Sequence, residues 1–420
     1  SDGSVTRTPV SQAVGSPVVF ESAVATHVSA VHDPDQNKII ISYRDEGNSN
    51  YGTAVAGTVS GTNISFGSPV VFESANVQYT AISYDTNSDK VVISYQDNGN
   101  SAYGTSIIGS VSGTNISFGT AVVFNSAETI SIVSAFDTSE AKVLVAYRDN
   151  GNSAYGTAIV GSVSGTGISF GSESLFYATA GTMPTGASYD SVSSTVGILY
   201  NAYTVDQLLC RIATISGTSV SFGTQTSNLK TSAGNTSIAA ANGKFIVSYR
   251  NSSSGGVGQA IVGVLSGTSI AFGDPQEFSS NSVSFTNLAY NAAAEQIIVS
   301  YKDNDSSNDG VINAGTISGT TISWGSNVTF ASAVGASDTM TTTYDSTSKV
   351  VLVAYQNTDN SNYGTSVLFR SPYTQVDRAE ISNGGNAVIQ TGCAINDTQT
   401  GLTAGQQYFV QTDGTLGLTA

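Results

Sequence analysis

Short apolar runs alternate with polar turn clusters from one end of the chain to the other, and no stretch keeps the 3.6-residue apolar rhythm of an amphipathic helix. Seven of the runs close on a tyrosine: Tyr43, Tyr95, Tyr147, Tyr200, Tyr249, Tyr301 and Tyr355. Successive markers lie 52, 52, 53, 49, 52 and 54 residues apart, a period close to that of propeller blades. Within the second copy, β-type runs occupy residues 77–85, 90–97, 104–113 and 115–124, separated by TNSD, NGNSA and the turn around Gly113. The second run is apolar on both faces, as a strand is when other sheets cover both of its sides. The expected fold is all-β: a seven-bladed β-propeller, in which radial repetition leaves only short, protected edges.

The ends of the array predict how the ring closes. Residues 15–23 read GSPVVFESA and match residues 67–75 without a mismatch, yet no first, second or third run precedes them. The last copy offers three runs and leaves the pattern at Ser371. The deficits are complementary, so the N-terminal strand is expected to complete the last blade, with residues 18–20 beside residues 366–369. This divides the chain into an N-terminal extension (1–14, a possible donor strand), the propeller (15–370) and a small C-terminal β module for assembly (371–420). Copies 4, 5 and 6 depart from the regular pattern, so that arc is the expected seat of anything specific.

Charge narrows the partners. The 420 residues carry 14 basic and 30 acidic side chains, a net charge of −16, which argues against nucleic acid and against anionic membrane surfaces. No apolar run approaches the roughly 20 residues that span a bilayer, so no membrane insertion is expected. Cys210 and Cys393 are the only cysteines and are expected to be free thiols. The chain starts at Ser1 and not at Met, so processing or truncation is expected. Low charge and few cysteines suit an extracellular, cell-surface or virion setting.

The string YQDNGNSAYGT, residues 95–105, returns near Tyr43, Tyr147 and Tyr355. Its Asp, Asn, Gly and Ser are turn residues, each able to satisfy a local amide or adopt positive φ. The order Asp97, Gly99, Ser101, Tyr103 resembles the Asp-box of sialidase-type propellers, a likeness that implies a blade and no catalytic role. A calcium reading of Asp45, Asp97, Asp149 and Asp303 is the weaker one, because each loop holds too few carboxylates. Arg44, Arg148, Arg250 and Lys302 follow the marker tyrosines and are expected to be solvated or paired with nearby acids. His27 and His32 are five apart, which puts them on opposite faces of a strand and defeats a shared metal. No catalytic set, metal site or cofactor is expected, and the chain is read as non-enzymatic.

Two further sets are singled out. Tyr51, Tyr103, Tyr155 and Tyr363 repeat at the start of the third run, where they either pack against the adjacent blade or stack on sugar rings. Sequons at Asn63, Asn115, Asn235, Asn304, Asn327 and Asn396 are possible glycosylation sites. The string GLTAGQQYFVQTDGTL, residues 401–416, together with the SGTxISFG and VISYxDxGN repeats, resembles tail-fibre and other appendage-like proteins of aquatic bacteriophages and bacteria. That resemblance implies a structural subunit of an extracellular or virion-surface fibre, assembling with copies of itself head to tail by β-strand addition. The alternative is a receptor-binding or lectin-like propeller that takes a cell-surface glycan, its ligand held in residues 201–209 and 304–310. A glycoside-acting enzyme is the third reading.

Overall fold

The computed structural model describes residues 5–335, 340–378, 409–410 and 416–417. It forms two compact units, one from Gln12–Ser371 and one from Ser1–Ser11 with Pro372–Ala420. Among the described residues there is no α-helix, and the pairings of the larger unit define seven antiparallel sheets that recur along the chain.

The second sheet shows why the residues fold as they do. Its second strand, Lys90–Asp97, lies between the strand that ends at Asp85 and the third strand, Tyr103–Ser112. Val91, Val92, Ile93 and Tyr95 are fully buried, which requires cover on both faces. Asp85 closes the first turn, its Oδ1 accepting the amides of Asn87 (2.9 Å) and Ser88 (3.1 Å). The same device recurs at Asp137 and Asp345, where the amides of Ser139 and Thr347 are the donors. All seven marker tyrosines are fully buried at the centres of their sheets.

The fourth strand differs from expectation. Residues 115–124 are not one strand: Asn115–Phe118 folds back as a hairpin on residues 109–112, and the chain re-forms a strand only at Val122. That second piece does not end with its own repeat. Val122–Asp137 pairs first with the third strand of the second sheet, then, past a bulge, with the second strand of the third sheet. One strand therefore serves two sheets, as Val18–Asp33, Val70–Asp85 and Gln276–Asn291 also do.

The interruption is an inter-sheet contact. A Cβ at Gly119 would lie 2.0 Å from the carbonyl oxygen of Thr166, in the turn of the next sheet, while its amide donates to Ile108 O at 2.9 Å. Gly15 meets Thr62, Gly67 meets Thr114, Gly171 meets Thr218 and Gly223 meets Thr268 in the same way. The repeated SFG and SGT strings are thus the two halves of one interlock.

At the ends of the array, Val18 lies opposite Ser366 and Val19 opposite Thr365. Ala13 and Val14 pair with Arg370 and Phe369, so the ladder begins two residues before the boundary expected from the repeat. Across the same seam, the His32 imidazole lies 3.0 Å from the Asp345 carboxylate, both buried. Elsewhere a serine or asparagine of one first strand meets the next: Ser29 Oγ accepts from Ile82 N (3.3 Å), Ser83 and Ser134 share a bond of 2.7 Å, and Ser188 Oγ accepts from Ala240 N (2.9 Å). First-strand residues of all seven sheets line one cavity of about 710 Å³.

In the smaller unit, Val5–Val10 pairs antiparallel with Tyr373–Arg378, and Phe409–Val410 with Leu416–Gly417. Cys393 and the sequon at Asn396 lie outside the described residues.

Two outcomes follow from the packing. Gly119→Ala should lower stability by about 1–3 kcal/mol through forced overlap with Thr166, whereas Gly325→Ala, whose nearest neighbour is the Ala314 oxygen at 3.2 Å and no threonine, should cost clearly less. Thermal unfolding of the two variants compares them, and equal losses would refute the interlock. Second, the Tyr95 hydroxyl donates to Glu73 Oε2 at 3.1 Å. Partial burial raises the Glu73 carboxyl above its ordinary value, the Asp97 charge adds to this, and the Tyr95 bond offsets only part. Since the folded-state value exceeds the unfolded one, folding takes up protons, and the penalty of the buried charge is fully present above that window and relieved below it. Glu73→Gln should therefore raise the melting temperature more at about pH 7 than at about pH 4, and an equal effect at both would contradict the assignment.

Candidate functional site

The recurring turn uses its carboxylate locally. Asp97 Oδ1 accepts the amides of Gly99 (2.9 Å) and Asn100 (3.2 Å), and Ser101 and Ala102 then take left-handed φ of 57° and 60° to launch the third strand. Asp149 caps Gly151 and Asn152, and Asp45 caps Asn48. Asp303 accepts from Asp305 N and from the Asn281 amide. These side chains organise turns.

The tyrosine after each of four such turns has a consistent setting. Tyr51, Tyr103, Tyr155 and Tyr363 are half-buried and open the third strands of four sheets. Tyr51 lies opposite Asp45 and Asn76, and Tyr103 opposite Asp97 and Glu128. They stand outside the seven apolar clusters that form the core, and no described residue bonds their hydroxyls. The four sheets are joined in series by the shared strands Val18–Asp33, Val70–Asp85 and Val122–Asp137. A half-exposed ring flanked by carboxylate and amide oxygens offers an apolar face beside hydrogen-bonding groups.

The expected pairing of the cations with acids holds for one of them. Arg44 meets Glu46 at 2.5 Å. Arg148 instead touches Met183 Sδ at 3.5 Å, and Lys302 lies 5.8 Å over the Phe285 ring with its pKa lowered by burial. The Arg250 Nε is buried with no partner among the described residues. Each stands opposite a residue that precedes a bulge: Thr26, Ile130, Gly234 and Ser284. Of the four, only Arg44 has an acid in ion-pair contact among the described residues, so the shared bulge does not by itself decide the partner.

His27 is one of the left-handed bulge residues, its ring 5.3 Å from that of Tyr79, and His32 is held at Asp345. Cys210 is fully buried and free, and burial pushes its thiol up to about 12. Asn63, Asn115 and Asn327 are exposed. Asn235 and Asn304 are half-buried, the first accepting from Phe285 N at 3.1 Å, the second donating to Ser284 Oγ at 2.9 Å. In the divergent segment 201–209, Tyr203 and Val205 project to 63% and 48% exposure.

A feature that turn signals do not mark lies between the fifth and sixth sheets. There a groove of about 550 Å³ is lined by residues 277–281 on one side and by Asn313 and residues 324–327 on the other.

No family model and no curated protein matches the chain. Solved structures do. A protein of unknown function from Dyadobacter fermentans is 10% identical over 87% of this chain and 99% of its own, with a TM-score of 0.51. The BP39L lectin from Burkholderia pseudomallei is 9% identical over 84% of this chain and 99% of its own, with a TM-score of 0.58. At these identities the likeness shows the fold alone, all-β and of the β-propeller type.

Proposed function

We propose that the chain is a non-enzymatic, carbohydrate-binding β-propeller of seven blades, closed by its N-terminal strand and working outside the cell or on a virion. The closed ring is supported by the pairing of Val18 with Ser366, by the His32 contact with Asp345, and by a cavity shared by all seven first strands. The observation that carries the binding role is the set of four half-buried tyrosines left out of every apolar cluster. Ring faces of this kind stack on the apolar side of a pyranose, and neighbouring exposed oxygens such as those of Glu128 accept its hydroxyls. Repetition across four linked sheets gives weak sites that add through avidity on a polymeric glycan. The fold likeness to a lectin is consistent with this role and does not establish it.

A fibre subunit is the second reading. It is favoured by the ribbon of Val5–Val10 with Tyr373–Arg378, since the same pairing made between two chains is strand exchange.

A glycan array tests the leading reading. Single Tyr→Ala changes at residues 51, 103, 155 and 363 should weaken polysaccharide binding modestly, and the fourfold variant should lose about 10²-fold or more through lost avidity. Unchanged binding by the fourfold variant would overturn the role of these rings. Sedimentation of the same preparation bears on the fibre reading, which dispersed monomers alone would contradict.

A further inference from the structure

We propose that the groove between the fifth and sixth sheets is a separate pocket for one neutral sugar ring, with Asn313 and Trp324 as its recognition pair. The proposal shares only the ligand class with the preceding reading, since it uses none of the four tyrosines.

The other repeats put a different kind of residue in the same place. In the third strand, the position of Asn313 is held elsewhere by Val55, Ile107, Ile159, Ile261 and Val367, all buried aliphatic side chains. The fourth sheet has Arg211 there, and its needs are met: Nε donates to Gly223 O at 3.1 Å, Nη1 donates to Phe176 O, and the guanidinium lies 5.5 Å over Phe222. Asn313 is 2% exposed and only partly satisfied. Its Nδ2 donates to Gly325 O at 3.2 Å and to Asn327 Oδ1 at 2.7 Å, and these acceptors fix which way the amide points. Its Oδ1 is buried without a partner. Leaving such an acceptor unmet costs about 1–3 kcal/mol, so the position is expensive for a purely structural role.

The second orphan lies on the same groove. Trp324 stands where the other sheets carry Phe66, Phe118, Phe170, Phe222 and Phe272. Like Phe118 against Phe72, it packs edge-on to a fourth-strand phenylalanine, Phe278, at 5.6 Å. Packing therefore needs only a phenyl ring. The indole adds one polar atom, Nε1, and that atom too is buried with no partner. One unmet acceptor and one unmet donor, on two residues that line the same groove, are the pair of needs that a hydroxyl group, donor and acceptor at once, can meet.

The rest of the lining favours a sugar over an anion. Glu277 stands where Val19, Val71, Val123 and Leu175 stand in other repeats, and Ser279 replaces Glu21 and Glu73. Asn281, also in the lining, donates its Nδ2 to the Asp303 carboxylate at 2.8 and 3.1 Å. Carboxylate, hydroxyl and amide oxygens accept sugar hydroxyls, while the charge of Glu277 in a chain of net charge −16 repels anionic ligands. A cavity of about 550 Å³ admits a pyranose with bound water.

Trp324 is the only tryptophan of the chain, so its fluorescence reports this pocket alone. The full-length protein is titrated with glucose, galactose, mannose, fucose and sialic acid. The expected result is a saturable change in emission with at least one neutral sugar and none with sialic acid. Asn313→Val restores the residue type of the other sheets and should weaken that binding about tenfold or more without lowering the melting temperature. Trp324→Phe, followed by calorimetry, should do the same. The fourfold tyrosine variant should leave the titration unchanged. A flat titration with every sugar, or an Asn313→Val variant that binds as the parent does, overturns the pocket and shows a groove filled by water alone. Loss of polysaccharide binding in the tyrosine variant alone would leave the reading of the previous subsection standing while this one falls.

Discussion

In this molecule four strands, Val18–Asp33, Val70–Asp85, Val122–Asp137 and Gln276–Asn291, each belong to two sheets. Val70–Asp85 finishes the first sheet and begins the second, and Val122–Asp137 does the same one repeat later. Ser174–Tyr177 completes the third sheet and Val328–Ala331 the sixth from the chain that leads into the neighbouring sheet, whereas the fourth sheet holds only its own four strands, Thr182–Asp190, Thr195–Ala202, Gln207–Ser216 and Ser219–Phe222. Val18–Asp33 pairs in the same way with the last third strand, across 348 residues. The equivalent local pairing, Val70 with Ala54, spans 70 − 54 = 16 residues. Closing the longer loop costs only about 2–3 kcal/mol more, because the entropy grows with the logarithm of length. Against that stands an exposed edge at each end of the array if the pairing is not made.

The shared strand explains which parts of the fold were legible. The period, the turns and the buried second strands follow from local chemistry: Asp85 caps its turn, Gly113 accepts positive φ, and residues 90–97 are apolar on both faces. Which strands meet at the seam was readable too, because residues 15–23 duplicate residues 67–75, but the register was not: Val18 and Val19 face Ser366 and Thr365, and Phe369 faces Val14. The break at Gly119 was not. Its cause is the oxygen of Thr166 in the next sheet, and a pattern read along one strand carries no sign of that approach. The bulges that place Arg148 beside Met183 were hidden for the same reason.

The site was legible in part. The four tyrosines are visible as a repeat, but only the packing shows that the apolar clusters exclude them. Asn313 and Trp324 escaped a reading that looked for turn chemistry. The signal was present as a column: asparagine among valines and isoleucines, and an indole among phenyl rings.

The account is tested most directly by a cysteine pair at Val18 and Ser366, the two positions found opposite each other at the seam. Antiparallel partners lie about 4.5–5.5 Å apart at Cα, within the span of a disulfide. Mild oxidation of the Val18→Cys, Ser366→Cys protein should give a cross-link within single chains, with the monomer's sedimentation unchanged and its melting temperature raised. Failure to cross-link, or cross-links found only between chains, would contradict an array closed by its own first strand.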